Sequence, residues 1–323
     1  MQLPKPQLLC AVSIAAVLAS GGALAAYPEK TITMVVPTAP GGANDAMARV
    51  IGQGMSAILK QPIIVDNRAG AHGAIASEMV KRAKPDGYTL MLGYIATHAM
   101  NPALQKLRYD PVNDYEPIGM VASSATLMVV NPTVDAKDAK EMVALLKAQP
   151  DKIAYASAGN GTAPHFAAEM FKLSTGTSML HVPYKGAGPA VLDTIGGQTQ
   201  VMFPSLFTAI PYVKGEKLRA LGVAGSKRSA LMPDMPTLQE QGIADVDVSQ
   251  WYGIFAPAKT PPAIIEQLSK TLNEVLSDNA VIHRLEEHGA EVMTMSPGQM
   301  REFVKQEQVK WKQVVQAAKL SAD

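Results

Sequence analysis

Cysteine is nearly absent: the 323 residues contain one, Cys10. That excludes a disulfide framework and any zinc site built on cysteine. An excess of charge is missing too. Lysine plus arginine number 29 and aspartate plus glutamate 28, a formal net charge of +1. Such a balance gives no broad basic face for a phosphate backbone and no acidic tail. Aromatics make up only 5%, too few for an extended stacking platform, so no nucleic-acid partner is expected. Several catalytic signatures are lacking: there is no G-x-S-x-G elbow, no H-E-x-x-H, no Gly-Lys-Ser/Thr phosphate loop and no G-x-G-x-x-G fingerprint. What remains is a chain with 47% hydrophobic and 18% charged residues, apolar enough for a buried core and long enough for two medium domains.

Residues 1–25 read as a secretory signal. Lys5 is their only charge, an apolar run follows from Leu8 to Leu18, and Ala23-Leu24-Ala25 supplies a small-residue cleavage pattern. The expected cut falls after Ala25 or Ala26. A membrane anchor is the competing reading, but the run is shorter than the ~18 apolar residues a span needs, and no second such run follows. Cys10 follows Leu9 inside the apolar run, which does not suit lipid attachment. Loss of the signal would remove Cys10 and Lys5, leaving a cysteine-free chain of zero formal charge, suited to an oxidising compartment.

After the signal, strands and helices alternate. Thr31 to Val36 is a β-branched run; from Ala43, apolar residues Met47, Val50, Ile51, Met55, Ile58 and Leu59 recur at helical spacing. Strands are expected at Ile63 to Val65 and Tyr88 to Leu92, with a helix over Ala74 to Ala83. This β-α-β-α-β series predicts parallel pairing with right-handed crossovers. The pattern repeats with strands at Leu127 to Val130, Ile153 to Ala156, Met179 to Val182, Val201 to Phe203 and Leu218 to Ala224. Helices are expected over Ala136 to Ala148, Ala163 to Leu173, Ile264 to Leu276 and Pro297 to Ala318. No linker of low complexity separates two halves, so the chain is expected to cross between domains more than once. The expected domains are 27–129 with 251–323, and 130–250.

Two strand-to-helix loops carry the candidate chemistry: Pro37-Thr38-Ala39-Pro40-Gly41-Gly42-Ala43-Asn44-Asp45 and Ser157-Ala158-Gly159-Asn160-Gly161-Thr162-Ala163-Pro164-His165. In open α/β sheets, ligands sit beyond the carboxyl ends of the strands. Glycines let the backbone approach a ligand closely. A helix start offers unpaired N–H groups and a partial positive charge, enough to hold a carboxylate without lysine or arginine. Ordinary glycine-rich turns are the alternative for either loop taken alone.

The order of short motifs along the chain is more specific. Tyr27-Pro28, Val36-Pro37 with Gly41-Gly42 and Asp45, Asn67-Arg68 with Gly70 and Gly73, and Pro85-Asp86-Gly87-Tyr88-Thr89 come first. Tyr155 with Ser157, Gly159, Gly161, Thr162 and His165, then His181-Val182-Pro183-Tyr184-Lys185-Gly186, Pro236-Thr237, Trp251 with Gly253, and Glu307 with Lys310-Trp311 follow. In this sequence of motifs the chain resembles the substrate-binding proteins of tripartite tricarboxylate transporters, the Bug receptors. The resemblance implies an α/β two-domain periplasmic-binding-protein clamshell, each domain a mostly parallel sheet flanked by helices, with strand crossovers between domains. It implies a small carboxylate held mainly by backbone amides, with Thr38, Pro40, Gly41 and Gly42 on one jaw and Ser157, Gly159, Asn160, Gly161, Thr162 and His165 on the other. It also implies a periplasmic monomer without a cofactor that serves the membrane permease subunits of such a transporter. Pro204-Ser205 stands where the family often has an aspartate, which favours a ligand without an amine. Thr38 stands where an aromatic is common.

Tyr94, Pro204 and Ser205 complete the candidate ligand contacts. Asp45 is expected to cap or charge its helix start, since a carboxylate beside a bound carboxylate repels it. His165 has a hydrogen-bonded structural reading beside the ligand reading, and His98 could line a cleft wall. His181 and Lys185 flank a turn and have the reading of stabilisers of their domain. His283 and His288 are five apart, the wrong spacing for a metal face, and the 18 methionines read as core filler. A non-catalytic receptor is therefore expected. A sensor of the same ligand, signalling to a kinase, and a periplasmic carboxylate-processing enzyme are the other classes.

Overall fold

The computed structural model describes residues 27–318 and 320. The expected export signal lies outside the described residues. The chain begins β1 (Ile32–Val36), α1 (Ala43–Leu59), β2 (Ile63–Asn67), α2 (Ala74–Lys81), β3 (Thr89–Tyr94), α3 (Asn101–Leu104), β4 (Tyr115–Ser124). It continues β5 (Leu127–Val130), α4 (Ala139–Ala148), β6 (Ala154–Ser157), α5 (Ala163–Thr175), β7 (Leu180–Pro183), α6 (Ala187–Ile195), β8 (Val201–Met202), α7 (Leu206–Lys214), β9 (Arg219–Val223). It ends β10 (Gln250–Pro257), α8 (Pro262–Leu276), α9 (Asn279–Glu287), β11 (Glu291–Val292), α10 (Pro297–Ala318).

Two mixed sheets result, ordered β11-β4-β10-β3-β1-β2 and β7-β6-β8-β5-β9. The predicted parallel pairings of β1 with β2 and β3 are present, as are those of β6 with β7 and β8. Each sheet also has an interior strand running against both of its neighbours, and in the first the edge strand β11 is antiparallel to β4 as well. In the first that interior strand is β10, antiparallel to both β3 and β4; in the second it is β5, antiparallel to β8 and β9. The chain crosses from the first sheet to the second between Ser124 and Leu127, and returns between Val223 and Gln250.

The helices follow from their apolar stripes. Along α1, Met47, Ile51 and Met55 recur every four residues and are fully buried, so one face packs on the sheet. The helix stops at Lys60, which is left-handed (φ 56°) and so leaves the helical path. The buried ends of α10 and β10 meet at a carboxylate: Glu307 Oε2 accepts from Trp251 Nε1 at 2.8 Å and Trp311 Nε1 at 3.1 Å. Both indoles are almost fully buried, so each needs that acceptor.

Candidate functional site

Four helices begin around one small cavity. Its walls include Gly42, Ala43 and Asn44 at the start of α1, Thr162 and Pro164 at α5, Ala187 at α6, and Ser205 and Thr208 at α7. A helix start leaves amides with no carbonyl one turn back and a partial positive charge; at α7 those amides are taken, Leu206 N–H by Ala125 O, Phe207 N–H by Ser124 Oγ and Thr208 N–H by Ser205, so α7 offers its side chains and its dipole. The cavity is only about 20 Å³, room for about one water. A second cavity of about 260 Å³ shares Thr38, Tyr94 and Ala158 with it and extends to Gly70–Gly73, Gly159, Asn160 and Pro183–Lys185. Larger hollows of about 870 and 670 Å³ take their walls from the first sheet's portion of the chain alone. The two smaller ones draw on both portions.

The walls are closed by direct contact. Ala39 N–H donates to Lys185 O at 3.0 Å. A side-chain carbon at Gly188 would lie 2.5 Å from Pro40 O, closer than two such atoms can approach. Gly161, left-handed at φ 71°, packs against Asn101. The polar lining is not saturated: Thr38 Oγ1 and Asn44 Nδ2 are buried and have no hydrogen-bond partner among the described residues. Buried polar atoms left so are costly, and both residues line the small cavity.

Of the residues expected from the sequence, Thr38, Gly42, Tyr94, Gly159, Asn160, Thr162 and Ser205 line one or both cavities. Pro40 and Gly41 instead abut Gly188 on the opposite side. Ser157, Gly161, His165 and Pro204 stand behind the walls. Ser157 Oγ accepts from Gly159 N–H at 3.1 Å and bonds His181 Nε2 at 2.6 Å. Gly161 N–H donates to His165 Nδ1 at 3.2 Å, and Thr162 Oγ1 donates to Gly159 O at 2.6 Å. Pro204 O accepts from Leu127 N–H.

The two histidines are stacked, ring centroids 4.6 Å apart, with Tyr155 stacked on the far side of His181 at 4.7 Å. Burial pushes both imidazoles down to about 4, so at neutral pH they are uncharged and His165 Nδ1 is free to accept. Asp45 takes the structural role. Its carboxylate accepts from Gly41 N–H and pairs with Arg49 at 2.8 Å. Burial alone would raise its pKa, but the bonds from Arg49 and Gly41 prevail and hold it below the usual carboxylate range. His98 is buried in the first core, stacked on Phe255 at 3.8 Å, and lines neither cavity.

Three parts of the walls were not singled out from sequence as ligand contacts. Gly70–Gly73 is one, and Pro183–Lys185 with the start of α6 another; the third is Gln250 with Tyr252, at the floor where β10 begins. A signal existed for the second: Gly186-Ala187-Gly188-Pro189 follows a strand and opens a helix as the first two loops do. Among the described residues, no group of three or more His, Cys, Asp or Glu is placed to hold a metal, and no helix is long and apolar enough to cross a membrane.

Comparison with known proteins places most of the chain beside one family. The model of the "Tripartite tricarboxylate transporter family receptor" matches residues 47–320. Protein BugT of Bordetella pertussis (strain Tohama I) is 35% identical over 291 residues, covering 90% of this chain and 89% of its own. Among solved structures, R. palustris Rpa4515 with adipate superposes with a TM-score of 0.88 at 30% identity, covering 91% of this chain and 99% of that one. MatC from Rhodopseudomonas palustris with bound malate gives 0.86 at 32%, covering 90% and 100%. A match over most of the chain, shared with full-length relatives, means that this chain belongs to the tripartite tricarboxylate transporter receptor family.

Proposed function

We propose that this chain is a periplasmic receptor that captures a small carboxylate between two domains and delivers it, unchanged, to the membrane subunits of a tripartite tricarboxylate-type transporter. The observation that carries the reading is the convergence of four helix starts on a small cavity lined by Thr38 and Asn44, whose buried Oγ1 and Nδ2 have no hydrogen-bond partner among the described residues. Amides and hydroxyls hold an anion there without the desolvation cost of a buried lysine or arginine. Ligand contacts are assigned to Thr38, Gly42, Tyr94, Gly159, Asn160, Thr162 and Ser205, with Pro40, Gly41, Ser157, Gly161, His165 and Pro204 shaping or supporting those walls. The domains are 27–129 with 251–323 and 130–250, meeting at the two crossings. The volume, below the ~300–1,000 Å³ usual for drug-sized ligands, fits an acid of a few carbons. Adipate and malate, held by two structural relatives, are the first candidates.

Near the cavities, Ser157 and His181 form a pair that resembles a nucleophile and its base. Ser157 is fully buried and already accepts the Gly159 amide, a loop-holding role, so the reading is a receptor and not a hydrolase. Calorimetry and thermal unfolding with malate, adipate and citrate test it. One of these acids at a hundredfold excess over its Kd should raise stability by about 2.7 kcal/mol and be recovered chemically intact. Absence of stabilisation by any acid, or its conversion, overturns the proposal.

A further inference from the structure

One wall of the larger cavity carries four consecutive left-handed residues: Gly70 (φ 125°), Ala71 (43°), His72 (56°) and Gly73 (89°). Glycine adopts such angles freely, whereas a histidine there is strained, and strain of this kind persists only where the surroundings enforce it. They do so here. Asn101 Nδ2 donates to His72 O at 2.6 Å, Gly73 N–H donates to Gly70 O at 3.0 Å, and Ser77 Oγ donates to Gly73 O at 3.0 Å. The outcome is a half-buried imidazole on the cavity wall.

The charges around that wall are one-sided. Lys185, Tyr94 and Tyr184 line the same cavity as His72, and among the described residues no carboxylate does. Across the cleft stands His165, near enough that a charge on His72 disfavours one there. On the other side of His72, toward the neighbouring hollow, are Glu78, Arg82, Lys106 and Arg108, and Glu78 is already paired with Arg82. Burial keeps His72 below its ordinary pKa, so it is neutral at pH 7. An anion placed against it would reverse that and draw a proton from solvent.

We propose that His72, together with Lys185, receives the distal carboxylate of a diacid whose first carboxylate lies at the converging helix starts, so that the cavity selects dianions over monoanions of equal length. This rests on the reading of the cleft as a carboxylate site. His72 is a specificity-determining residue in it: the left-handed segment places the imidazole at the end of the cavity away from α1 and α7, where a second charge of the ligand would fall.

The test compares adipate with hexanoate by calorimetry at pH 7, in two buffers of different ionisation enthalpy. Wild type should bind adipate ~10-fold or more tightly than hexanoate, the range of a charge-assisted hydrogen bond, and take up protons with adipate alone. His72→Gly, which suits the left-handed backbone, should keep the hexanoate affinity while losing both the preference and the proton uptake. His72→Asn, which also tolerates that backbone, should retain part of the preference without the uptake. A glycine variant that discriminates as well as wild type, or wild type that binds both acids equally, overturns the assignment of His72 alone. Wild type that binds neither of these acids overturns this proposal, and wild type that binds malate and citrate no better overturns the carboxylate reading of the cleft with it.

Discussion

Ala39 and Lys185 are joined by a main-chain hydrogen bond of 3.0 Å, although one follows a strand of the first sheet and the other a strand of the second. The bond brings the start of α6 onto the loop before α1, which is how α6 joins the helix starts expected from the sequence around the small cavity.

The close approach of Gly188 to Pro40 makes closure sensitive to a single methyl group. Gly188→Ala should weaken acid binding ~10-fold or more, because overpacking of this kind costs about 1–3 kcal/mol at the contact between the lobes. Isothermal calorimetry checks it. Unchanged affinity would mean that the two segments separate in the bound state.

The stacked pair His165 and His181 sets a pH window. Their folded pKa values, about 4, lie below the ~6.5 of an unfolded histidine, so the unfolded chain binds more protons between those values. Stability is therefore complete above pH ~6.5 and falls as the pH drops toward 4, by on the order of 2 kcal/mol or more for the pair. Ligand affinity should fall with it, since protonation takes the His165 acceptor from Gly161 N–H. Chemical denaturation at pH 7.5, 6 and 5 measures the slope; a His165→Asn, His181→Asn double variant should flatten it.

Asp45 gives a second, more acidic dependence. Its carboxylate is held below the usual range, so its contribution is present above pH ~4 and lost as the pH falls through its folded pKa. Asp45→Asn should cost about 1 kcal/mol at neutral pH, a typical value for a helix-start acid, because the partner Arg49 is itself largely exposed. Urea unfolding at pH 7 and pH 3 should show the difference between variant and wild type shrinking in acid.

Glu307 is the shared acceptor of two buried indoles. Glu307→Ala leaves both N–H groups unpaired and should destabilise the fold by ~2–4 kcal/mol, read as a lowered denaturant midpoint, with ligand selectivity unaffected. Glu307→Gln keeps one acceptor oxygen and should recover part of the loss.

The sequence was most readable where local pattern governs. Leu127–Val130 and Pro297–Ala318 are observed at the expected residues, because a β-branched run and a long amphipathic stripe are local signals. Gln250–Pro257 was not expected as a strand. All eight of its residues are buried, which erases the alternation that marks a half-exposed strand. Tyr115–Ser124 was hidden by Pro117 and Gly119, and its identity as a strand depends on pairing with residues more than a hundred positions away. At the site, glycines beside helix starts were legible. His72 was not, because its role depends on backbone angles imposed by Asn101 and on a wall contributed by distant chain.

Ser124 and Gln250 are register partners in adjacent antiparallel strands, so both passages between the sheets leave from the same end of neighbouring interior strands, side by side. A two-ply ribbon flexes easily across its thin dimension and resists sliding along its length. Gln250 stands at one of these passages and, with Tyr252, on the wall of the small cavity, so the joint between the portions is itself part of the cavity.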